Sequence, residues 1–160
     1  EHLEGAGIIH SVKDLWWDVR PHPGFGTVEI RVCDIPINFK EIIALVALIQ
    51  ALVVTLTELD SYQDTHIQIL QSNKWQAARY GLDGIFVDPK NFKKLSMRKA
   101  IENLFILVEP AITSLDLKKH FDILEKILKT NSGSDEQRKL YASSKNFEHM
   151  LKALKEQFYQ

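Results

Sequence analysis

Polar and apolar residues alternate along Thr27-Val28-Glu29-Ile30-Arg31-Val32, the period of a half-buried β-strand. Upstream, Leu15-Trp16-Trp17-Asp18-Val19-Arg20 is aromatic and β-branched. Pro21-His22-Pro23-Gly24-Phe25-Gly26, between the two, is dense in turn residues. The pattern predicts an antiparallel hairpin over residues 15–34 with a longer loop. Past residue 37 the period becomes helical. Asn38-Phe39-Lys40-Glu41 fits a capping box and opens an apolar helix to about residue 59. A second helix is predicted over 65–80, with Gly81 as its C-cap. Ile85-Phe86-Val87 and Lys93-Lys94-Leu95, joined through Asp88-Pro89-Lys90-Asn91, read as a small hairpin. Ser96 caps a helix to about 108, before Pro110. Residues 116–129 are amphipathic, with Leu117, Phe121, Leu124 and Leu128 on one stripe. Asn131-Ser132-Gly133 breaks the pattern, and Ser134-Asp135-Glu136-Gln137 is another capping box. The last helix carries Phe147, Met150, Leu151, Leu154 and Phe158 at helical spacing.

The expected fold class is therefore α+β: an antiparallel β-hairpin over 1–36, followed by a mostly helical bundle over 37–160. Two strands alone are marginal in water. The hairpin is thus expected to be part of a larger sheet supplied elsewhere.

The run 42–56 carries no formal charge. A membrane span needs about 20 apolar residues. This run is shorter, holds Gln50 and Thr55, and is bracketed by charged residues. It predicts a helix buried nearly all round in a core, and no membrane partner.

Composition adds limits. The 160 residues suffice for one domain with a core. Charges nearly cancel, 20 Lys+Arg against 21 Asp+Glu, so no single-sign field suggests nucleic acid. The single cysteine, Cys33, fits a reducing, cytoplasmic setting. The first residues lack the basic-then-apolar order of a signal peptide and an initiator Met. The chain is expected to begin inside a longer protein.

Strand alternation sorts the hairpin into faces. Leu15, Trp17 and Val19, with Val28, Ile30 and Val32, form an apolar side able to pack on the helix that follows. The other side holds Asp18, Arg20, Thr27, Glu29 and Arg31, in a register the sequence leaves open. Arginine forks match phosphate oxygens bidentately, and a carboxylate is a hard ligand suited to Mg2+. Together they suit a transferring phosphoryl group. The same charges also suit an ordinary solvated strand face making weak ion pairs, and pattern alone favours that plainer reading.

Ser11-Val12-Lys13-Asp14-Leu15-Trp16-Trp17-Asp18-Val19-Arg20-Pro21 and Phe25-Gly26-Thr27-Val28-Glu29-Ile30-Arg31-Val32-Cys33-Asp34-Ile35-Pro36 resemble a signature of the carboxylate–amine ligases. This is the bacterial type-2 glutamate–cysteine ligase group of the glutamine-synthetase-like superfamily. The similarity continues through Leu48-Ile49-Gln50-Ala51 and Asn73-Lys74-Trp75-Gln76-Ala77-Ala78-Arg79-Tyr80-Gly81-Leu82-Asp83-Gly84. It covers residue 11 to about 89; beyond that only helical character agrees.

The resemblance implies the C-terminal part of an enzyme that phosphorylates a carboxylate with ATP and lets an amine displace the phosphate. In glutathione synthesis the pair is glutamate and cysteine. By that analogy Glu29 binds Mg2+ (or Mn2+) and Arg31 contacts the transferred phosphoryl group. Arg20 contacts phosphate or the substrate carboxylate, and Asn73 and Arg79 lie near substrate or nucleotide. The family's other acidic metal ligands belong to an N-terminal half, the expected partner, without which this piece is expected to be inactive. An unpaired sheet edge also invites a second copy, so a homo-oligomer is a further expectation.

Other residues carry less. Six histidines show no paired metal-ligand spacing. Gly24-Phe25-Gly26 lacks the lysine of a phosphate loop. Cys33 without a partner base reads as a small hydrophobe, and Trp75 as core or a support behind the site. The alternative function is a non-catalytic helical interaction or scaffold module, in which Arg20, Glu29 and Arg31 are surface charges.

Overall fold

The computed structural model describes residues 2–59, 64–130 and 132–159. The chain divides into two compact units, Glu1–Ile35 and Pro36–Gln160.

The first unit holds a short helix α1 (His2–Gly5), a 3-10 turn at Val12–Asp14, and strands β1 (Val19–His22) and β2 (Thr27–Ile30). The strands are antiparallel, with Val19 opposite Ile30, Arg20 opposite Glu29, Pro21 opposite Val28 and His22 opposite Thr27. β1 starts four residues later than alternation predicts. The reason is the capped turn before it. The Asp14 carboxylate accepts the His10 N–H at 2.7 Å and the Ser11 N–H at 3.2 Å, and Ser11 Oγ accepts the Lys13 N–H at 3.2 Å. That box fixes residues 11–14 in a turn, so Leu15 leaves in an irregular path. Pro21 is tolerated because each strand of a two-stranded sheet has an open edge. The apolar side predicted to be buried is not: Trp17, Val19 and Val28 remain about half exposed.

The second unit is helical around one small hairpin. Helix α2 spans Phe39–Thr57, α3 Ile67–Tyr80, β3 Ile85–Val87, β4 Lys94–Ser96, α4 Met97–Ser114, α5 Lys118–Lys129, α6 Gly133–Ser144 and α7 Phe147–Gln157. The α+β expectation holds. Asn38 Oδ1 caps α2 by accepting the Glu41 N–H at 3.0 Å, and the Glu41 carboxylate reaches back to the Ile37 N–H at 3.3 Å.

The core lies between α2, α4 and α5. Ala44, Ala47 and Ala51 of α2 pack with Val108, Ala111 and Ile112 of α4 and with Phe121 and Leu124 of α5. The predicted α5 stripe is buried: Leu117, Phe121, Leu124 and Leu128. Phe105 meets Phe121 edge to face, with ring centres 5.5 Å apart.

Helix α2 departs from expectation. Only its alanine face is buried, while Val46 (55% exposed), Val53 (48%) and Leu56 (57%) face outward. By length and composition it is long and apolar enough to cross a membrane.

Helix α4 runs through Pro110 instead of ending before it. Pro110 and Ile106, four residues earlier, are both exposed, so the carbonyl deprived of its helical donor lies on the outward side. Val108, Ala111 and Ile112 hold the opposite face in the core.

The predicted last helix is two helices. Lys145 adopts φ 51°, and Asn146 caps α7, accepting the Glu148 N–H at 2.8 Å. The α6 capping box also lies earlier than predicted, at Ser132 with Asp135. Asn131 lies outside the described residues. The two ends of the bundle meet where the Phe39 N–H donates to the Phe158 carbonyl at 2.8 Å.

Candidate functional site

The site is built on the hairpin register. Arg20 and Glu29 are cross-strand partners, so their side chains leave the same face at the same level. Arg20 Nε donates to Glu29 Oε2 at 2.9 Å, and Nη2 donates to the same oxygen at 2.5 Å. Its Nη1 donates to the carbonyls of Lys13, at 2.8 Å, and Leu15, at 3.3 Å. Those carbonyls belong to the 3-10 turn that Ser11 and Asp14 cap and to the residue that follows it. Arg20 is 8% exposed. A buried guanidinium demands acceptors around its whole fork, and here the turn and Glu29 supply them.

Glu29 is held from its other side as well. Arg31 Nη1 donates to Glu29 Oε1 at 3.0 Å. The Arg31 guanidinium carbon lies 4.9 Å from the centre of the Trp16 ring, a cation–π arrangement. The Arg31 backbone N–H donates to the Asp18 carbonyl at 2.7 Å, continuing the ladder past β2. Arg31 is thus fixed at its backbone, on one guanidinium nitrogen and over one face, while its Nε and Nη2 make none of these contacts. The Arg20 hydrogen bond, then the charges of Arg20 and Arg31, hold the Glu29 carboxyl below its usual pKa. Hydrogen bonds from His10 and Ser11 hold Asp14 low in the same way.

The chemical capacity of this array is anion recognition. Within this trio, one carboxylate against two guanidiniums leaves a net positive charge, and Arg31 keeps donors for an oxyanion such as phosphate. The fit to a divalent cation is poorer. Both Glu29 oxygens hold guanidiniums, and among the described residues no group of three or more His, Cys, Asp or Glu gathers. For Glu29 to ligate a metal, an arginine contact must give way and other oxygens must come from outside these residues.

The sequence singled out Arg20, Glu29 and Arg31, and the structure brings these three together. Asn73 and Arg79 lie in the second unit. Asn73 Nδ2 donates to the Val87 carbonyl and its Oδ1 accepts the Val87 N–H, each at 2.8 Å. Both ends of its amide are spent pinning β3 to α3. Gly84 allows that closeness: a Cβ there would lie 2.9 Å from the Gln76 carbonyl oxygen. Arg79 is exposed in the last turn of α3, where a cation suits the helix dipole. Trp75, expected in the core or behind the site, is about half exposed and meets Tyr80 edge to face. The reason is that no residue of α3 is buried.

Three features escaped the sequence reading. Trp16 is the ring over Arg31, on the side where alternation puts Asp18 and Arg20. The Ser11–Asp14 turn supplies the carbonyls for Arg20, and its Ser-x-x-Asp spacing was a readable cap signal. His22, at the end of β1 and not in the loop, stacks on Phe25 with ring centres 4.5 Å apart, and its Nδ1 is buried without a partner among the described residues. Cys33 is exposed, not packed as a small hydrophobe.

Comparison with known proteins places the chain in a family. Residues 1–157 match the family described as glutamate–cysteine ligase family 2. A protein of Gloeobacter violaceus named "putative glutamate–cysteine ligase 2" is 35% identical over 145 residues, 88% of this chain and 39% of its own length. A relative of the same name from Sorangium cellulosum is 33% identical over 97% of this chain and 42% of its own. One from Legionella pneumophila, named "putative glutamate–cysteine ligase 2-2", is 34% identical over 99% of this chain and 43% of its own. The chain thus spans about two fifths of the length of the curated relatives it matches. The chain belongs to the glutamate–cysteine ligase family 2.

Proposed function

We propose that this chain forms one wall of the active site of an ATP-dependent carboxylate–amine ligase of glutamate–cysteine type. Family membership supports the ligase class. The observation that carries the site is the Arg20–Glu29–Arg31 array on one face of the hairpin.

In this reading a γ-carboxylate oxygen of glutamate attacks the terminal phosphorus of ATP, and ADP leaves. The amine nitrogen of cysteine, having lost a proton, attacks the acyl carbon. Phosphate leaves and the amide forms. Arg31 stabilises the charge on the transferring phosphoryl group through its uncommitted donors. Arg20 holds Glu29, and Glu29 holds Arg31, so Arg20 acts as a positioning residue. Asn73 positions β3 through Val87. Exposed Arg79 is the second unit's candidate for a substrate or nucleotide anion. Were Mg2+ or Mn2+ to accompany ATP and neutralise its phosphates, Glu29 would contribute at most one ligand and the remainder would come from the ligase portion this chain leaves uncovered. That portion is the partner we assign, the 160 residues alone being inactive. A cytoplasmic setting suits the lone exposed Cys33.

The test is a substrate screen on the assembled ligase, following phosphate release and γ-glutamyl amide formation across amino-acid pairs. Glutamate- and cysteine-dependent phosphate release is expected. No release with any carboxylate–amine pair refutes the reading, as does full activity of the 160-residue chain alone.

A further inference from the structure

We propose that the outward apolar stripe of α2 is the docking seam for the ligase portion that the relatives carry and this chain does not cover. Helix α2 has two unlike faces. Ala44, Ala47 and Ala51 are buried against α4 and α5. On the other side Phe39, Ile43, Val46, Val53 and Leu56 are all exposed. At 3.6 residues per turn, Phe39, Ile43, Val46 and Val53 fall within one stripe, with Leu56 at its margin.

Nothing on that stripe carries a charge. From Ile42 to Thr57 there is no charged residue. The outer faces of α5, α6 and α7 carry ion pairs: Lys118 with Asp122 and Glu125 on α5, Arg138 with Asp135 on α6, and Lys152 with Glu148 on α7. A large contiguous apolar face free of charge marks an interaction surface.

The occupant follows from length. The chain accounts for 39% to 43% of its relatives' own length while being matched over 88% to 99% of itself. More than half of the relatives' length is therefore available to cover α2. Gln50, exposed in the middle of the stripe, favours a protein surface over lipid. Its amide needs hydrogen-bond partners, which a protein interface supplies and acyl chains do not. The inference rests on the ligase reading only for the identity of the occupant.

The experiment uses the 160-residue chain and the ligase portion encoded with it in the same gene, made separately and mixed. Val46→Lys and Val53→Lys lie at exposed positions, so their far-UV helical signal should match the parent chain. Expected results are at least tenfold slower amide exchange along α2 on mixing, and at least tenfold weaker capture by either variant. Unchanged α2 exchange in a pair that otherwise assembles overturns the inference. So does a gene encoding no such portion. A stable dimer of the chain alone that Val46→Lys makes monomeric assigns the stripe to a second copy and overturns it. Stripe-dependent sedimentation with phosphatidylcholine–phosphatidylglycerol vesicles assigns it to lipid, with the same consequence. A pair that assembles and protects α2 but joins no substrates supports the seam while refuting the catalytic reading. A pair that joins substrates with α2 unprotected does the reverse.

Discussion

Arg20 and Glu29 face each other across the hairpin, and Arg20 commits its Nε, Nη1 and Nη2 to holding Glu29 and the carbonyls of Lys13 and Leu15. Arg31 reaches the opposite oxygen of the same carboxylate. The two arginines therefore have unequal freedom. In the assembled ligase Arg31→Ala is expected to lower kcat by about 10²–10³-fold, the usual cost of a lost transition-state donor. Arg20→Gln is expected to cost about tenfold, because it loosens Arg31 at one remove. Initial rates of phosphate release distinguish them. Equal losses would mean that Arg20 itself touches the phosphoryl group.

The lowered pKa of Glu29 gives the first unit a pH dependence. Its folded value lies below the unfolded one, so the stabilisation is fully present above the usual glutamate range of about 4.3. It is lost as pH falls through the lowered value. Asp14 and Asp135 shift in the same direction, so the informative quantity is the difference between the parent chain and Glu29→Gln. That difference should shrink toward low pH and shrink in high salt, since the carboxylate is exposed. Denaturation followed by tryptophan fluorescence across pH measures it. A difference independent of pH would refute the charge-pair account.

Asn73 is expected to behave as a structural residue. Asn73→Ala leaves both the N–H and the carbonyl of Val87 without their side-chain partner, at a cost of about 1–3 kcal/mol. Asn73→Asp should cost a similar amount, because a carboxylate cannot donate to the carbonyl. Thermal denaturation of the 160-residue chain reads both. Unchanged stability with lost ligase activity would return Asn73 to the substrate.

Phe121 is the largest fully buried side chain of the second unit and meets Phe105 edge to face. Phe121→Ala is expected to cost about 3–5 kcal/mol in chemical denaturation. Phe147→Ala, at an exposed position, should cost far less.

The positions of most elements were legible because their signals are local. Asn38 and Ser96 cap their helices as their side chains suggest, and the α5 stripe follows its period into the core. The array was half legible. Alternation places Arg20, Glu29 and Arg31 on one side, but register depends on the turn, and only folding shows Arg20 opposite Glu29. The turn at residues 11–14 overrode strand propensity at Leu15 and Trp16, because a capping box satisfies backbone donors locally. The exposed side of helix α2 is not legible, because hydrophobicity measures a preference for burial, not the presence of a partner. Nor is the passage of α4 through Pro110, because the cost of a proline depends on which way the freed carbonyl faces.

The alanine seam of α2 has a consequence in entropy and motion. Ala44, Ala47 and Ala51 lose no side-chain rotamers on burial, so ordering them costs only backbone freedom. On the α2 side the contact has no buried side chain able to hop between rotamers. Helices α6 and α7, with no buried residue of their own, lack such a brace. Local opening of the chain is therefore expected to start at α6 and α7 and to reach the α2 seam last.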